Sequence, residues 1–413
     1  MCIRRLVAPF GGLALSVVVL VAVIARGTGP AIAQDEGEIF TVRDVAVDVT
    51  AETAAAAREV ALAQGHVAAM ERLLARLLPR EEQTRVTPPT ADRIAELVKD
   101  FEVADERTSD VRYLARLTFR FNPDAVRAFL RNNDLAYAET RSKPVVVVPV
   151  YGPRGEARLW DDANPWWAVW ARRRPDAGLV PLIVPLGDLG DISTLDAEQA
   201  LAGDTARMTA LAERYGAEDI LLTQAILSVS PGATAATLQV GTSRIGRQAS
   251  ATVVETFTQQ PGENIDGLLA RAAEAIAEDV QESWKQRNLL RPGEARRIQI
   301  SVPVRGLTDW LEIRRRLADV AGVERSIVTL MSRAATEISV TFVGDERQLA
   351  VAMAQNDLEL AYDETLGWRL WIRGAPPPDV AAPAVPLAPA VSAPAAPVSP
   401  PPSATGSSLP VPE

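Results

Sequence analysis

Val45, Val47 and Val49 alternate with polar residues, the period-two pattern of a half-buried strand. Val60, Ala63, Val67, Met70, Leu74 and Leu77 then recur at spacings of three and four, which predicts a long helix closed by Pro79. A shorter helix is expected over Ala91 to Lys99. Val111 to Phe121 alternates strictly again, with Arg112, Arg116, Thr118 and Arg120 on the polar face. Asn122-Pro123-Asp124 opens another helix with a capping side chain, a proline that needs no N–H and an acid at the positive dipole end. The order strand, helix, helix, strand, strand, helix makes residues 38–141 an N-terminal α+β module.

From Val145 to Val148 the apolar run is unbroken, as in a strand covered on both faces. Another apolar run surrounds Leu179 to Val184, and Asp204 to Tyr215 reads as a helix stopped at Gly216. Ile220–Val229, Ala236–Ile245 and Ala251–Thr258 read as strands, and Leu269, Ala273, Ile276, Val280 and Trp284 line one face of a long helix. Residues 142–290 are expected to be an α/β module with a mixed sheet.

Residues 295–373 show the order βαββαβ, that of a ferredoxin-like sandwich. Strands are expected at Ile298–Val304, Ile327–Met331, Ile338–Phe342 and Trp368–Ile372. One helix buries Trp310, Ile313, Leu317 and Val320. The other opens on Asp345 with Gln348 three residues on, a capping-box pattern. Residues 374–413 are Pro, Ala, Val and Ser with two charges, and read as a disordered tail of extended polyproline character. The whole is an α/β and α+β multidomain chain.

The first 33 residues have the layout of a secretory signal. Arg4 and Arg5 precede the apolar Leu13–Ala25, and Ala31-Ile32-Ala33 supplies small residues for cleavage. Leu6–Ala25 is also about 20 residues, long enough for an uncleaved anchor. Either reading carries the body across the membrane: periplasmic if cleaved, inner-membrane anchored and facing the periplasm if not. Removing residues 1–33 deletes three arginines and no acids, taking the net charge from −10 to −13. That charge excludes a nucleic-acid partner, which requires clustered cations, and leaves the anchor as the membrane contact.

The only cysteine, Cys2, lies inside the leader, and His66 is the only histidine. Thiol chemistry, His-based triads and Cys/His zinc sites are excluded by content. No phosphate-cradling glycine motif occurs, and Gly187-Asp188-Leu189-Gly190-Asp191 is expected to be a plain loop. No catalytic residue, cofactor or metal is expected. The alternative is a hydrolase or transferase acting on envelope glycans through Asp161, Asp162, Asp188 or Asp191.

One constellation stands out. Four of the eight tryptophans fall between Trp160 and Trp170. Trp160, Asp161, Asp162, Asn164, Trp166, Trp167 and Trp170 are the candidate binding residues, beside Arg172, Arg173 and Arg174. Tryptophan marks contact hot spots. Equally, Asn164-Pro165 would cap a helix whose tryptophans cover the sheet. Both readings stand at this level.

The chain resembles the bacterial "domain of unknown function 2066" family of exported proteins. The likeness rests on Arg116–Leu130 (RLTFRFNPDAVRAFL), Pro144–Pro149 with Leu159–Trp170, Ala217–Gln224 (AEDILLTQ) and Gly306–Leu317 (GLTDWLEIRRRL). It spans most of residues 40–373. It implies an exported, multidomain protein and adds no catalytic residue, since the family carries no assigned activity. Composition, location and resemblance together point to a non-enzymatic binding or assembly protein of the cell envelope, with other envelope proteins or glycan as partners.

Overall fold

The structure is a computed structural model that describes residues 38–375, apart from 88, 162, 174–177, 230–234, 248–250, 292, 294, 333 and 334. Residues 1–37, where the leader is expected, Asp162, Arg174 and the residues from 376 on, where the tail is expected, lie outside the described residues. Those described form a mixed α/β protein with eleven helices and three sheets. None of the described helices is long and apolar enough to cross a membrane. The chain divides into two compact units, meeting between Pro292 and Gly293.

The first unit opens with β1 (Thr41–Thr50), α1 (Ala54–Leu77), α2 (Arg80–Gln83), α3 (Ala91–Ala95), β2 (Val98–Thr108), β3 (Arg112–Phe121) and α4 (Pro123–Asn132). The strands form an antiparallel sheet in the order β1-β3-β2. Tyr113, Ala115, Leu117, Phe119 and Phe121 are buried, as their alternation predicts. Asn122 caps α4 by accepting from the Asp124 and Ala125 amides.

The face α1 buries differs from the expected stripe. Val60 is exposed, and Ala57, Ala61, Gly65 and Ala69 are buried instead. The reason is close approach: a Cβ on Gly65 would lie 2.6 Å from Leu117 Cδ1. Small residues let the first turns of α1 lie against β3, and only the last turns bury the larger Met70, Leu73, Leu74 and Leu77. His66 sits at the edge of this contact, its ring 4.8 Å from Phe119 and its Nδ1 2.8 Å from the Leu62 carbonyl.

Next come β4 (Val145–Tyr151), α5 (Pro165–Arg172), β5 (Leu182–Ile183), α6 (Leu189–Thr194), α7 (Ala197–Ala202), α8 (Thr205–Arg214), β6 (Asp219–Ser228), β7 (Thr237–Gly246), β8 (Val253–Thr258) and α9 (Ile265–Arg287). Their sheet has the order β5-β4-β6-β7-β8, parallel on either side of β4 and antiparallel beyond β6. It is mixed, as expected, and β4, flanked by β5 and β6, is buried from Val145 to Val150. Val146, Val148 and Val150 pack with Met208, Leu211 and Ala212 of α8. Gly187–Asp191 is not the plain loop expected. Asp188 accepts from the Asp191 amide and starts α6 there.

The two sheets of this unit are joined by α9. Trp284 Nε1 donates to the Thr140 carbonyl at 2.7 Å. The buried Lys285 ammonium donates to the carbonyls of Ala75 and Leu78, at 3.1 and 2.8 Å, where α1 ends. A cation at a helix C-terminus satisfies carbonyls that have no partner inside the helix. Gln281 answers both the amide and the carbonyl of Val180, and Gly178 leaves it the room.

The second unit contains β9 (Arg296–Pro303), α10 (Leu307–Ala318), β10 (Val323–Met331), β11 (Ala335–Phe342), α11 (Glu346–Gln355), β12 (Leu358–Asp363) and β13 (Gly367–Ile372). The sheet order is β10-β11-β9-β13-β12. The capping box of Asp345 and Gln348 is present. Four strands were expected and five are found, because β12 turns back through a hairpin into β13, which then lies parallel to β9. Trp310, Ile313, Leu317, Leu349 and Met353 cover Ile300, Val302, Val340, Phe342 and Leu370.

Replacing Lys285 with methionine keeps the stem and removes the three donors. The expected loss is about 1–3 kcal/mol, since the carbonyls of Ala75 and Leu78 lose their charged donor and keep only Gln83 Nε2. Urea unfolding of the Lys285→Met protein checks it.

Candidate functional site

The site begins with one amide. Asn164 is 0% exposed. Its Oδ1 accepts from the Trp166 and Trp167 amides, each at 3.0 Å, and so caps α5. Its Nδ2 lies 2.9 Å from the Pro149 and Leu159 carbonyls and 3.1 Å from that of Arg158. A single side chain therefore ties the end of β4, the 158–161 segment and the start of α5. Asp161 is exposed and accepts from the Ala163 amide, shaping the turn into the cap.

The cap sets the directions of the tryptophans. Trp166 is buried and donates from Nε1 to Thr223 Oγ1 on β6 at 2.9 Å. Trp170 is buried four residues on, its ring 5.8 Å from that of Trp166 in an edge-to-face arrangement. Asn164, Trp166 and Trp170 are thus interior side chains, so of the two readings the sheet-covering helix holds for them and the contact surface does not. The Asn-Pro cap and the helical spacing turn their faces to the sheet. Asp162 lies outside the described residues. Arg172 pairs with Asp266 and Arg173 with Glu274, so these cations fasten α5 to α9.

Trp160 and Trp167 are half-buried and do something else. Trp167 Nε1 donates to the Pro185 carbonyl at 3.1 Å, and Trp160 Nε1 donates to the Leu195 carbonyl at 2.6 Å. The two indoles hold the two ends of the segment that carries α6. Between those ends Asp191 is fully buried. It accepts from the Gly187 amide and the Tyr215 hydroxyl, and Arg214 Nε lies 3.1 Å away. Burial and the bond to Asp191 hold the Tyr215 hydroxyl above its usual range, which keeps it a donor. Arg214 also pairs with Asp188 at 2.6 Å, and it reaches both acids across Gly190, where a side chain would block it.

This scaffold turns Leu186, Leu189 and Ile192 outward. Leu189 is 84% exposed and Leu186 76%. Sequence reasoning missed them, having taken the tryptophans for the contact and this stretch for a loop. The available signal was three aliphatic residues within seven positions, interleaved with glycines and capping acids that prevent their burial.

Asp188 and Asp191 have no free catalytic geometry. Asp188 is held below the usual carboxylate range, first by the Asp191 amide and then by the charge of Arg214. A carboxyl held low is a poor general acid at neutral pH. No described group of three or more His, Cys, Asp or Glu is placed to hold a metal ion. No family model, curated protein or solved structure matches the chain.

Because the folded state lowers the Asp188 pKa, its charge favours folding above the unfolded-state value, and that contribution fades as the pH falls through the folded-state value. Asn at 188 can still cap α6 but carries no charge. Melting curves of wild type and Asp188→Asn should therefore differ most near neutral pH and converge as the pH falls below the ordinary aspartate range.

Proposed function

We propose that this is an exported, non-enzymatic cell-envelope protein that binds another envelope protein through the Leu186–Leu189–Ile192 knob. One observation carries the proposal. Two indole N–H groups, a buried aspartate and an arginine hold three aliphatic side chains in solvent. Exposed apolar groups kept in place by a rigid scaffold mark an interaction site.

The chemistry of the knob favours protein over glycan. Sugars are recognised by open aromatic faces flanked by hydrogen-bonding groups. Here the aromatic rings lie under the segment, and what protrudes is aliphatic. The glycan-hydrolase alternative needs a pair of free carboxyls, whereas Asp188 and Asp191 bind Arg214, Tyr215 and backbone amides. The leader pattern supports export to the periplasm. Anchoring by the uncleaved leader is the second form of this reading. Membership of the family that the sequence resembles belongs to the same proposal. So does a ferredoxin-like origin for the second unit, with β13 inserted between the strands of that fold.

Capture from envelope extracts tests the reading, with wild-type protein and Leu189→Glu as bait. Leu189 is solvent-exposed, so the variant should melt like wild type. It should lose the protein that wild type retains, with at least a tenfold drop in recovery. Equal recovery by both baits contradicts the knob as the contact. The mass of the exported chain identifies its form, with Gln34 as first residue if the leader is removed.

A further inference from the structure

The second unit carries a sheet edge unlike the others. No described strand lies beyond β10. Its segment Ser326–Met331 (SIVTLM) contains no charge, proline or glycine. Ile327, Val328, Leu330 and Met331 are each about half exposed. They lie on both faces of the sheet. Val328 pairs with Ile338 of the core and points to the helix-covered face, whereas Ile327 pairs with Ser339 and points away. Of the described apolar residues of this strand, Val323 packs against the core.

Proteins protect sheet edges with charges and bulges. The edge strand β2 of the first unit follows that rule. It carries Lys99, Asp100, Glu102, Asp105, Glu106 and Arg107, and its register breaks twice. The far edge of the second unit, β12, carries Glu359 and Asp363. Beyond Glu324 and Arg325, β10 has two register breaks but no charge to repel a strand.

We propose that β10 is a dimerisation edge, and that its occupant is β10 of a second copy of this chain. Antiparallel pairing near Ile327, across a two-fold axis, joins two five-stranded sheets into one. Three observations select a second copy. The occupant must be neutral and apolar on both faces, and among the described edge strands longer than two residues β10 itself meets that condition. Glu324 and Arg325 are adjacent and of opposite sign, so two copies meet without net repulsion. The four apolar side chains expose on the order of 400 Å² per copy, the size of patch that marks a contact site. Two copies together bury at most about 800 Å² of it, below the roughly 1,600 Å² of a standard interface, which makes the dimer weak and reversible. The Pro-rich tail is a poor occupant, since proline has no N–H to give an edge.

Sedimentation of the full exported chain up to about 100 μM tests this. Wild type should shift from monomer towards doubled mass as concentration rises. Ile327→Lys and Thr329→Lys should stay monomeric with unchanged melting, because the first places like charges on the axis and the second sets a lysine opposite Arg325 of the second copy. The chain beyond the leader has no cysteine, so Ile327→Cys supplies a clean second probe. Residues opposite one another across an antiparallel pair are within disulfide reach. Oxidation should cross-link Ile327→Cys and leave Val253→Cys, on the exposed edge β8, monomeric. A wild type that remains monomeric overturns the proposal. So does a dimer that survives both lysines, a dimer without a cross-link at 327, or equal cross-linking at 253. Association only with a different protein overturns it as well.

Discussion

The buried side-chain amide of Asn164 is the interaction on which the rest of the candidate site depends. An amide in the interior must find partners for its oxygen and both its hydrogens. Asn164 finds them on three separate stretches of backbone. By fixing the first turn of α5 it sets where four indoles point. Trp166 and Trp170 go inward against the sheet, while Trp160 and Trp167 reach sideways to the two ends of the segment between Pro185 and Leu195. On the proposed reading, the tryptophans therefore present the contact and do not form it.

The same device recurs through the first unit. Lys285 serves the carbonyls at the end of α1, Gln281 serves Val180, and Arg76 donates to the carbonyls of Ile39 and Thr41. Arg244 and Asp219 form a buried pair at 2.6 Å. Long polar side chains take the place of staples in a chain whose only cysteine is Cys2. Each removes a hydrogen bond or ion pair from a buried junction if it is replaced, so each junction is sensitive to a single substitution.

Much of the fold was legible because local rules decided it. The uninterrupted valines of β4, the alternation in β3, the Asn122-Pro123 cap and the Asp345–Gln348 box all appear where the pattern put them. What was not legible depended on distant neighbours. The face of α1 is chosen by how closely β3 approaches Gly65, so alanines won over Val60. The fifth strand of the second unit comes from a hairpin whose first arm, Leu358–Asp363, alternates weakly. At the site, sequence found the tryptophan cluster but not its role. Composition cannot separate an indole that faces a partner from one that holds a loop. That difference lies in Pro185 and Leu195, whose carbonyls the rings meet only in the folded chain.

Hydrogen exchange at residues 186–195 in the Trp160→Phe, Trp167→Phe double variant tests the account most directly. Phenylalanine keeps a ring in each place and removes the N–H that holds the segment. At about 1 kcal/mol for each bond, amides of this segment should exchange at least tenfold faster, with the sheet and α9 unchanged. Exchange that stays as slow as in wild type would contradict the claim that these indoles hold the knob in place.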